Sequence, residues 1–303
     1  MNVQGAYATP AGVEAAIKQA AIDASASDSS VNVNERIRQE HFRRFLSRVF
    51  AGGEGSEWLL KGGTGVLARV PSARATKDVD LYRAGYTLDQ ALEDLRQLVK
   101  VDLADHFRFE YVSHLNSLGG PGQPYVDGYT VKFDVYVGTQ RRGQIKVDLS
   151  TGAGITDEVS LIEPANALHL PRLASNLYRV YPVVDQVADK LCATHMLYSG
   201  APSSRQKDLV DLVVFARTHD INGLALRTAI ETEARRRGLE SFTRVQLPKT
   251  WGREYEQMAK RVPHCEGFAE IEKARALIED FIEPSLRGEV DAQTWMFERL
   301  AWE

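Results

Sequence analysis

The spacing of apolar residues changes once along the chain, and this change limits the possible folds more than any other sequence feature. Residues 78–82, 129–137 and 144–149 alternate apolar and polar side chains, as half-buried β-strands do. Beyond residue 164 the apolar side chains recur at helical spacing instead. The segments with this spacing are residues 183–198, 204–218, 222–237 and 266–282, with a shorter one around Tyr255. The pattern therefore predicts a mixed sheet followed by a helical region.

The N-terminal part of the chain adds helices to this prediction. Helical patterns cover residues 15–24 and 34–50, and residues 58–60 form a short apolar strand. Residues 64–69 and 88–99 are again helical in pattern. We therefore predict the α+β class, with a small mixed sheet, accompanying helices and an α-helical C-terminal region. The predicted domains are residues 1–52 (N-terminal helices), 53–163 (core) and 164–303 (α-helical domain).

The composition excludes several classes of protein. The net charge of −4 over 303 residues argues against nucleic-acid binding by overall charge and leaves only a local basic region for it. Cys192 and Cys265 are too few for a disulfide framework and lack the spacing of a zinc site, so both are expected to be reduced thiols. No apolar run approaches the roughly 20 residues of a membrane helix. We expect a cytoplasmic protein without a membrane partner.

Three short stretches carry residues suited to phosphate chemistry. The first is Lys61-Gly62-Gly63-Thr64, the second is Asp78-x-Asp80, and the third is the single strand aspartate Asp148. Alternation along a strand points Asp78 and Asp80 to one face, where Asp148 joins them if its strand lies alongside. Three carboxylates at this distance repel one another unless cations lie between them.

Magnesium is the cation that such carboxylates favour. Mg²⁺ prefers oxygen ligands, and two such ions can hold the attacking and leaving oxygens of an in-line displacement. Asp78, Asp80 and Asp148 are the predicted metal ligands and catalytic residues. Gly62 and Gly63 let the backbone approach a triphosphate, and the helix beginning near Thr64 offers free N–H groups to it. Thr64 adds a hydroxyl donor. These residues predict a nucleoside triphosphate as substrate.

Each stretch has an ordinary explanation when it is taken singly. Paired acids are common on surface strands and turns, and Gly-Gly-Thr is ordinary turn chemistry, so each alone marks a site about one time in ten. Asp148 lies on a strand whose other face, with Ile145, Val147 and Leu149, is what packing alone requires. The functional interpretation depends on the three stretches occurring together and in this order.

The segment KGGTGVLARVPSARATKDVDLY resembles the first motif of the AbiEii/AbiGii (MenT-like) nucleotidyltransferase toxins. Two later segments are similar to further motifs of that family: VADKLCA, which contains Lys190, and RQKDLVDL, which contains Asp208 and Asp211. The resemblance covers roughly residues 55–220. It implies a polymerase-β-like nucleotidyltransferase core with a helical C-terminal region, belonging to the EC 2.7.7 type of enzyme.

The resemblance also implies roles for residues that spacing alone leaves open. Lys190 lies on the flank of its helix, where it is either a solvated lysine or, by the resemblance, a catalytic residue and phosphate ligand. Lys61, beside the glycine pair, is a further predicted nucleotide-binding residue. Asp208 and Asp211 share a helix face and would otherwise be taken as surface acids. By the resemblance Asp211 is a catalytic carboxylate and ranks ahead of Asp208, which either contributes to nucleotide binding, fixes its helix or pairs with Arg205.

The function implied by the resemblance is that of a toxin in a toxin–antitoxin system. Such enzymes transfer a nucleoside monophosphate to the 3′ end of tRNA, which blocks translation, inhibits growth and can serve phage defence. An antitoxin of the AbiEi type is the implied partner. Two alternatives remain open: a protein or small-molecule acceptor, which the net negative charge favours slightly, and a nucleotide-binding module without catalysis, which the retained carboxylates argue against.

Other candidate sites receive less support from the sequence. The seven histidines show no close metal-ligand spacing. Ser150 and Ser160 have no evident base beside them, so the sequence gives no support to a hydrolase triad. The arginines at 235–237 and at 141–142 could hold an RNA backbone, but a solvated face is the preferred interpretation of both clusters.

Overall fold

The computed structural model describes residues 6–116, 128–152, 154–198 and 200–303. Residues 1–5, where the predicted N-terminal domain begins, lie outside the described residues. The α-helices are α1 (Pro10–Ser27), α2 (Val33–Val49), α3 (Gly62–Arg69), α4 (Leu88–Leu98), α5 (Val183–His195), α6 (Gln206–Ala216), α7 (Gly223–Arg236), α8 (Arg253–Ala259) and α9 (Ile271–Leu286). The main strands are β1 (Trp58–Lys61), β2 (Val79–Ala84), β3 (Phe107–Asn116), β4 (Gly128–Val137), β5 (Gln140–Gly152), β6 (Ser160–Ile162) and β7 (Tyr178–Val180).

These seven strands form one mixed sheet in the order β3-β4-β5-β2-β1-β7-β6. The pairs β2–β5 and β1–β7 are parallel, and the other neighbours are antiparallel. Two-residue and three-residue strands make up two smaller sheets: β8 (Leu197–Tyr198) with β9 (Ala201–Pro202), and β10 (Ile221–Asn222) with β11 (Thr294–Met296) and β12 (Ala301–Trp302). The α+β class and the mixed sheet predicted from the sequence are confirmed.

Several predicted elements differ in extent from the observed ones. Asp78 immediately precedes β2 rather than starting it, and β5 is longer than its predicted segment. The sheet also contains β3, β6 and β7, which were not predicted, and β7 follows the predicted boundary at 163–164. The alternation of Phe107, Phe109 and Tyr111 was the available signal for β3. Strand β7 has three residues, too few to show a period.

The N-terminal helices pack on the same core as the sheet. Val13 and Ile17 of α1 and Phe42 and Phe45 of α2 belong to one buried cluster with the apolar side chains of β3, β4 and β5. Phe45 contacts Phe109 and Phe133 with ring centroids 5.3 and 5.2 Å apart. Burial of an aromatic side chain of this size stabilises the fold by about 2 kcal/mol. Helices α1 and α2 are therefore integral to the sheet region.

The C-terminal helices bury a second apolar cluster, formed mainly by α5, α6, α7 and α9. Helix α3 contacts both clusters, because Val66 and Leu67 pack with the C-terminal helices while Ala68 packs with the sheet. Both cysteines are buried in the C-terminal cluster and free, as predicted. The glycine turn at the start of α3 consequently lies where the sheet region meets the helical region, and this position brings residues from both together.

Candidate active site

The three predicted carboxylates gather on two adjacent strands. Asp80 of β2 lies directly opposite Asp148 of the parallel strand β5, and Asp78 shares the face of Asp80 by alternation. The ammonium Nζ of Lys146 lies 3.5 Å from an oxygen of Asp78 and 3.5 Å from an oxygen of Asp148. The convergence expected from the sequence is therefore present at the start of β2, beside β5 in the middle of the sheet.

Asp80 carries the electrostatic cost of this arrangement. Burial, followed by repulsion from the neighbouring carboxylate of Asp148, raises the pKa of Asp80 to about 6, although Lys61 opposes the shift. Lys61 lies opposite Asp80 in β1. Thr130 of β4 donates a hydrogen bond of 2.9 Å to Asp148 Oδ1 and so fixes the orientation of that carboxylate. Burial and a like charge thus both oppose ionisation of Asp80.

The glycine turn between β1 and α3 lies against the same carboxylate. Gly62 has a φ of +58°, and a Cβ atom placed on it would come within 2.2 Å of Asp80 Oδ2. Only glycine combines this backbone conformation with such a close approach. Among the residues that the structure describes, no side chain caps the N-terminus of α3, so its first N–H groups are free to bind an anion.

Thr64 occupies a different place from the one that the sequence suggested. Its side chain is buried, and its hydroxyl donates a hydrogen bond of 2.7 Å to the main-chain carbonyl of Asp78. A hydroxyl committed in this way fixes the start of β2. It does not project among the cavity-lining side chains as the predicted phosphate donor would.

The fit of this donor set to a metal ion can be tested on the residues themselves. Within the described ranges, no three His, Cys, Asp or Glu side chains converge closely enough to form a ready-made metal centre. The carboxylates nevertheless supply the oxygen ligands that Mg²⁺ prefers. The ammonium of Lys146 between Asp78 and Asp148, and the raised pKa of Asp80, both indicate a place that favours positive charge. The set fits a hard divalent cation in ligand type and charge, without forming a closed cage.

A cavity of about 170 Å³ lies between the carboxylate cluster and the C-terminal helices. Of the predicted site residues, it is lined by Lys61, Gly62, Gly63, Asp78, Asp80, Asp148, Lys190 and Asp208. Thr64 and Asp211 do not line it. Its other lining side chains include Lys207, Arg205, Arg237 and Asp189, on α5, α6 and α7 or directly beside them. The cavity therefore has an acidic wall from the sheet and a mainly basic wall formed by the helices together with Lys61 of β1.

Lys190 is part of the basic wall. It is not the solvated surface lysine that was one of the two alternatives from the sequence. Its side chain is 4% exposed, and its Nζ lies 2.5 Å from Asp211 Oδ2 and 3.4 Å from Asp208 Oδ1. Burial lowers the pKa of Lys190, but the two carboxylates outweigh burial and raise it. Lys190 is therefore a charged residue held rigidly at the edge of the cavity.

The two aspartates of α6 occupy different positions relative to the cavity. Asp211 is fully buried, and its Oδ2 binds Lys190 and Arg74, the latter at 2.8 Å. Its Oδ1 has no hydrogen-bond partner among the described residues. Asp208 lines the cavity and also forms an ion pair with Arg205. This pairing was one of the three alternatives that the sequence left open for Asp208. Asp211 consequently lies behind the wall of the site and holds Lys190 and Arg74 in place.

The start of α6 lies beside the cavity. Arg205 occupies its N-cap position, and within the described part of the chain no side chain caps this end of the helix. The hydroxyl of Ser203 instead accepts a hydrogen bond of 3.2 Å from the main-chain N–H of Arg205. This bond holds Arg205 at the mouth of the helix, next to the cavity.

Arg237 and Asp189 are among the functional candidates that the sequence interpretation missed. Arg237 was assigned to a solvated basic cluster, which is wrong, since it is 8% exposed and binds Asp189 at 2.5 Å and Glu233 at 2.6 Å. Burial raises the pKa of Asp189, but Arg237 and nearby cations outweigh this and lower it. Asp189 is adjacent to Lys190 in the family motif, and this position could have identified it as a site residue. Arg237 is remote in sequence from every motif, so no such position identified it.

Comparison with known proteins identifies the family. The model of the nucleotidyl transferase AbiEii toxin, from type IV toxin–antitoxin systems, matches residues 44–279, which include every predicted site residue. No curated protein matches the chain. In agreement with the composition, the described residues contain no helix with the length and apolar character needed to cross a membrane.

The solved structures that match the chain have low sequence identity to it. The structure of MenT4, a nucleotidyltransferase toxin from Mycobacterium tuberculosis, is 14% identical, with coverage of 94% of this chain and 99% of that one and a TM-score of 0.49. The crystal structure of JHP933 from Helicobacter pylori is 15% identical, with coverage of 84% and 94% and a TM-score of 0.43. On the match of the family model over residues 44–279, the chain belongs to the AbiEii family of nucleotidyltransferase toxins.

Proposed function

We propose that this toxin transfers a nucleoside monophosphate from a nucleoside triphosphate to the 3′ end of tRNA, in a Mg²⁺-dependent reaction of the EC 2.7.7 type. The observation that carries the proposal is the cavity with an acidic wall of Asp78, Asp80 and Asp148 facing a basic wall. A triphosphate needs cations around its oxygens, and the reacting hydroxyl needs a proton acceptor beside it. The two walls supply these two requirements.

The basic wall binds the triphosphate. Lys61, Arg205, Lys207 and Arg237 line it together with Lys190, and the free N–H groups at the start of α3 face the same space. Arginine binds phosphate oxygens with two parallel hydrogen bonds, whereas lysine acts as a point charge. Asp189 keeps Arg237 oriented through their ion pair. These contacts hold the β- and γ-phosphates, which leave together as pyrophosphate.

The acidic wall prepares the attacking hydroxyl. In the transfer, the acceptor oxygen forms a bond to the α-phosphorus while the bond from that phosphorus to the bridging oxygen of pyrophosphate breaks. Asp148, oriented by Thr130, accepts the hydroxyl proton. Mg²⁺, held by Asp78, Asp80 and Asp148 with two ions as the expected number, would supply positive charge to the phosphate oxygens and the attacking oxygen. Gly62 places the backbone against Asp80 and so fixes that carboxylate.

Membership of the family supports our proposal for the tRNA acceptor and the biological setting. Membership of a toxin–antitoxin family implies an antitoxin partner, and we propose that it is of the AbiEi type. Addition of a nucleotide to the 3′ end of tRNA prevents aminoacylation, so translation and growth in the cytoplasm would stop; phage defence is the corresponding benefit to the host population. The net charge of −4 favours a second candidate, nucleotidylation of a protein or small-molecule hydroxyl.

One labelling experiment separates these acceptors. The purified protein is incubated with Mg²⁺, total tRNA and each α-³²P-labelled nucleoside triphosphate in turn, beside the Asp80→Ala variant. We expect label in tRNA with the wild-type protein alone, and the active nucleotide identifies the donor. Label in protein without label in RNA would replace tRNA by a protein acceptor. Absence of any transfer by a protein that still binds nucleotide would refute the enzymatic proposal.

The glycine turn provides a second test. In Gly62→Ala the left-handed backbone costs about 1–2 kcal/mol, and the new methyl group displaces Asp80. We expect nucleotide transfer to fall about a hundredfold, as for a misplacement of about 1 Å in other enzymes. Gly53→Ala is the matched control, because Gly53 has the same φ of +58° and no atom of the described residues lies within 4 Å of the added Cβ. The two variants are compared by transfer rate and melting temperature, and equal activity would contradict the assigned role.

A further inference from the structure

A second and larger cavity, of about 570 Å³, adjoins the candidate active site. It lies between the loop that joins α1 to α2, the loop at residues 71–78 and the segment that ends α8. Arg74, Thr76, Asp78 and Lys207 line both this cavity and the smaller one. The volume falls within the range of about 300–1,000 Å³ typical of ligand sites. The two cavities therefore share a wall at the catalytic carboxylate Asp78.

The uncompensated charges of the second cavity are positive. Lys77, Lys207 and Arg261 are exposed on its wall, and within the described ranges their side chains make neither an ion pair nor a hydrogen bond. Glu35, by contrast, is compensated by Arg38 at 2.6 Å. Asp78 is compensated by Lys146. Because the chain as a whole is negatively charged, this is a local basic region of the kind that nucleic-acid binding would require here.

The wall of the second cavity is fixed by contacts from both ends of the chain. Arg38 of α2 donates a hydrogen bond of 2.8 Å to the carbonyl of Thr76. Ser72 and His264 are hydrogen-bonded at 2.9 Å, which ties the loop at 71–78 to the segment after α8. The cavity is thus a preformed surface, built partly by the N-terminal helices to which the sequence assigned no role.

We propose that the second cavity binds the acceptor as a nucleic-acid strand, with Lys77 and Arg261 contacting backbone phosphates and the strand end reaching Asp78. This assignment rests on the nucleotidyltransferase function proposed above. Phosphates spaced along a backbone match separate, unpaired cations, whereas a protein hydroxyl requires no such row of charges. Val31, Met258 and Val262 on the same wall offer apolar contacts to sugars and bases.

The test is direct RNA binding in the absence of nucleotide. The Lys77→Gln/Arg261→Gln double variant removes two cations that do not line the nucleotide cavity. Binding of fluorescently labelled tRNA is followed by anisotropy over a range of salt concentrations. We expect binding about tenfold weaker near 0.1 M salt, with a log–log salt dependence shallower by about 1.4, since each single-strand phosphate contact contributes about 0.7.

Two controls isolate the site from general effects of charge and folding. Lys18→Gln/Arg253→Gln removes the same two residue types from exposed positions outside both cavities and should leave RNA affinity unchanged. Lys77→Arg/Arg261→Lys keeps both charges and should retain most of the binding. The affinity for nucleoside triphosphate should equal that of the wild-type protein in all variants.

The outcomes separate this inference from the proposed function. Weakened RNA binding in the cavity variant, with intact nucleotide binding, supports the inference even if no transfer is detected. Unchanged RNA binding, in a protein that does transfer label to tRNA, overturns the inference while the proposed function stands. The wild-type chain could also bind a protein acceptor and no RNA. If the cavity variant then lost binding to that protein, the cavity would be a protein-binding site and the inference would be overturned.

Discussion

In the Asp80→Asn variant, nucleotide transfer is expected to fall by about a thousandfold, the order of effect seen when a charged catalytic group is removed. The amide keeps the shape of the carboxylate but loses its charge and one acceptor oxygen. Asp80 is the carboxylate that packs against both Gly62 and the strand of Asp148. Its loss leaves only Asp78 and Asp148 in the acidic wall, which then no longer positions the reacting centre correctly.

The same substitution is expected to stabilise the cation-free protein. The pKa of Asp80 is about 6 in the folded state, against an ordinary value of 3.8. Between these values the folded protein keeps the proton longer than the unfolded chain, so the free energy of unfolding falls as pH rises from about 4 to about 6 and stays lower above. Asparagine removes this loss, and at pH 8 the gain is about 1–3 kcal/mol.

These two effects are measured on the same protein samples. Urea unfolding in the presence of EDTA at pH 4.5 and pH 7.5 gives the stability difference between wild type and Asp80→Asn, which should grow with pH. Added Mg²⁺ should raise the melting temperature of the wild-type protein more than that of the variant, because binding to the folded state stabilises it. A variant that stays fully active, or a stability difference independent of pH, would contradict the assignment of Asp80.

Replacing Asp211 with asparagine is expected to cost about 3–5 kcal/mol of folding stability, since it breaks a buried ion pair and leaves a buried charge uncompensated. Asp211 is fully buried and binds both Lys190 and Arg74. The free energy of unfolding of an ordinary protein is about 5–15 kcal/mol, so this loss is a large fraction of the total. We expect a correspondingly lower midpoint of urea unfolding.

A matched control distinguishes the buried pair from an ordinary surface pair. Asp291→Asn breaks the ion pair between Asp291 and Arg227, whose side chains are 36% and 29% exposed. This substitution should lower the free energy of unfolding by no more than about 1 kcal/mol. If Asp211 acts by positioning Lys190, the folded variant should show weaker nucleotide binding, whereas a loss of turnover at unchanged nucleotide affinity would place Asp211 in the chemistry instead. Equal stability of the two variants would refute the structural role.

The sequence alone determined the acidic half of the site. A strand has a side-chain period of two, so Asp78-x-Asp80 had to place both carboxylates on one face, and the only open question was which strand lay alongside. The glycine pair was equally visible, because a left-handed backbone position restricts the residue type. Family motifs then pointed to Lys190, which does line the cavity.

The basic half was decided only by the tertiary structure. On a helix, positions three apart share a face, but the sequence does not state how that face is rotated relative to its neighbours. Asp208 and Asp211 are such a pair, and both are buried, but packing of α6 places Asp208 in the cavity wall and Asp211 behind it. Arg237 reaches the cavity from α7 because α5 and α7 pack together, a contact that no local pattern encodes.

The second cavity was likewise decided only by the tertiary structure. Its walls come from the loop before α2, the loop before β2 and the end of α8, three segments far apart in the chain. Local sequence patterns fix the geometry within one element, because they arise from the backbone period of that element. Relations between elements arise from burial of apolar faces, and many packings satisfy one apolar pattern. The sequence therefore determined the carboxylate strands and the turn, and the fold decided which charges face them.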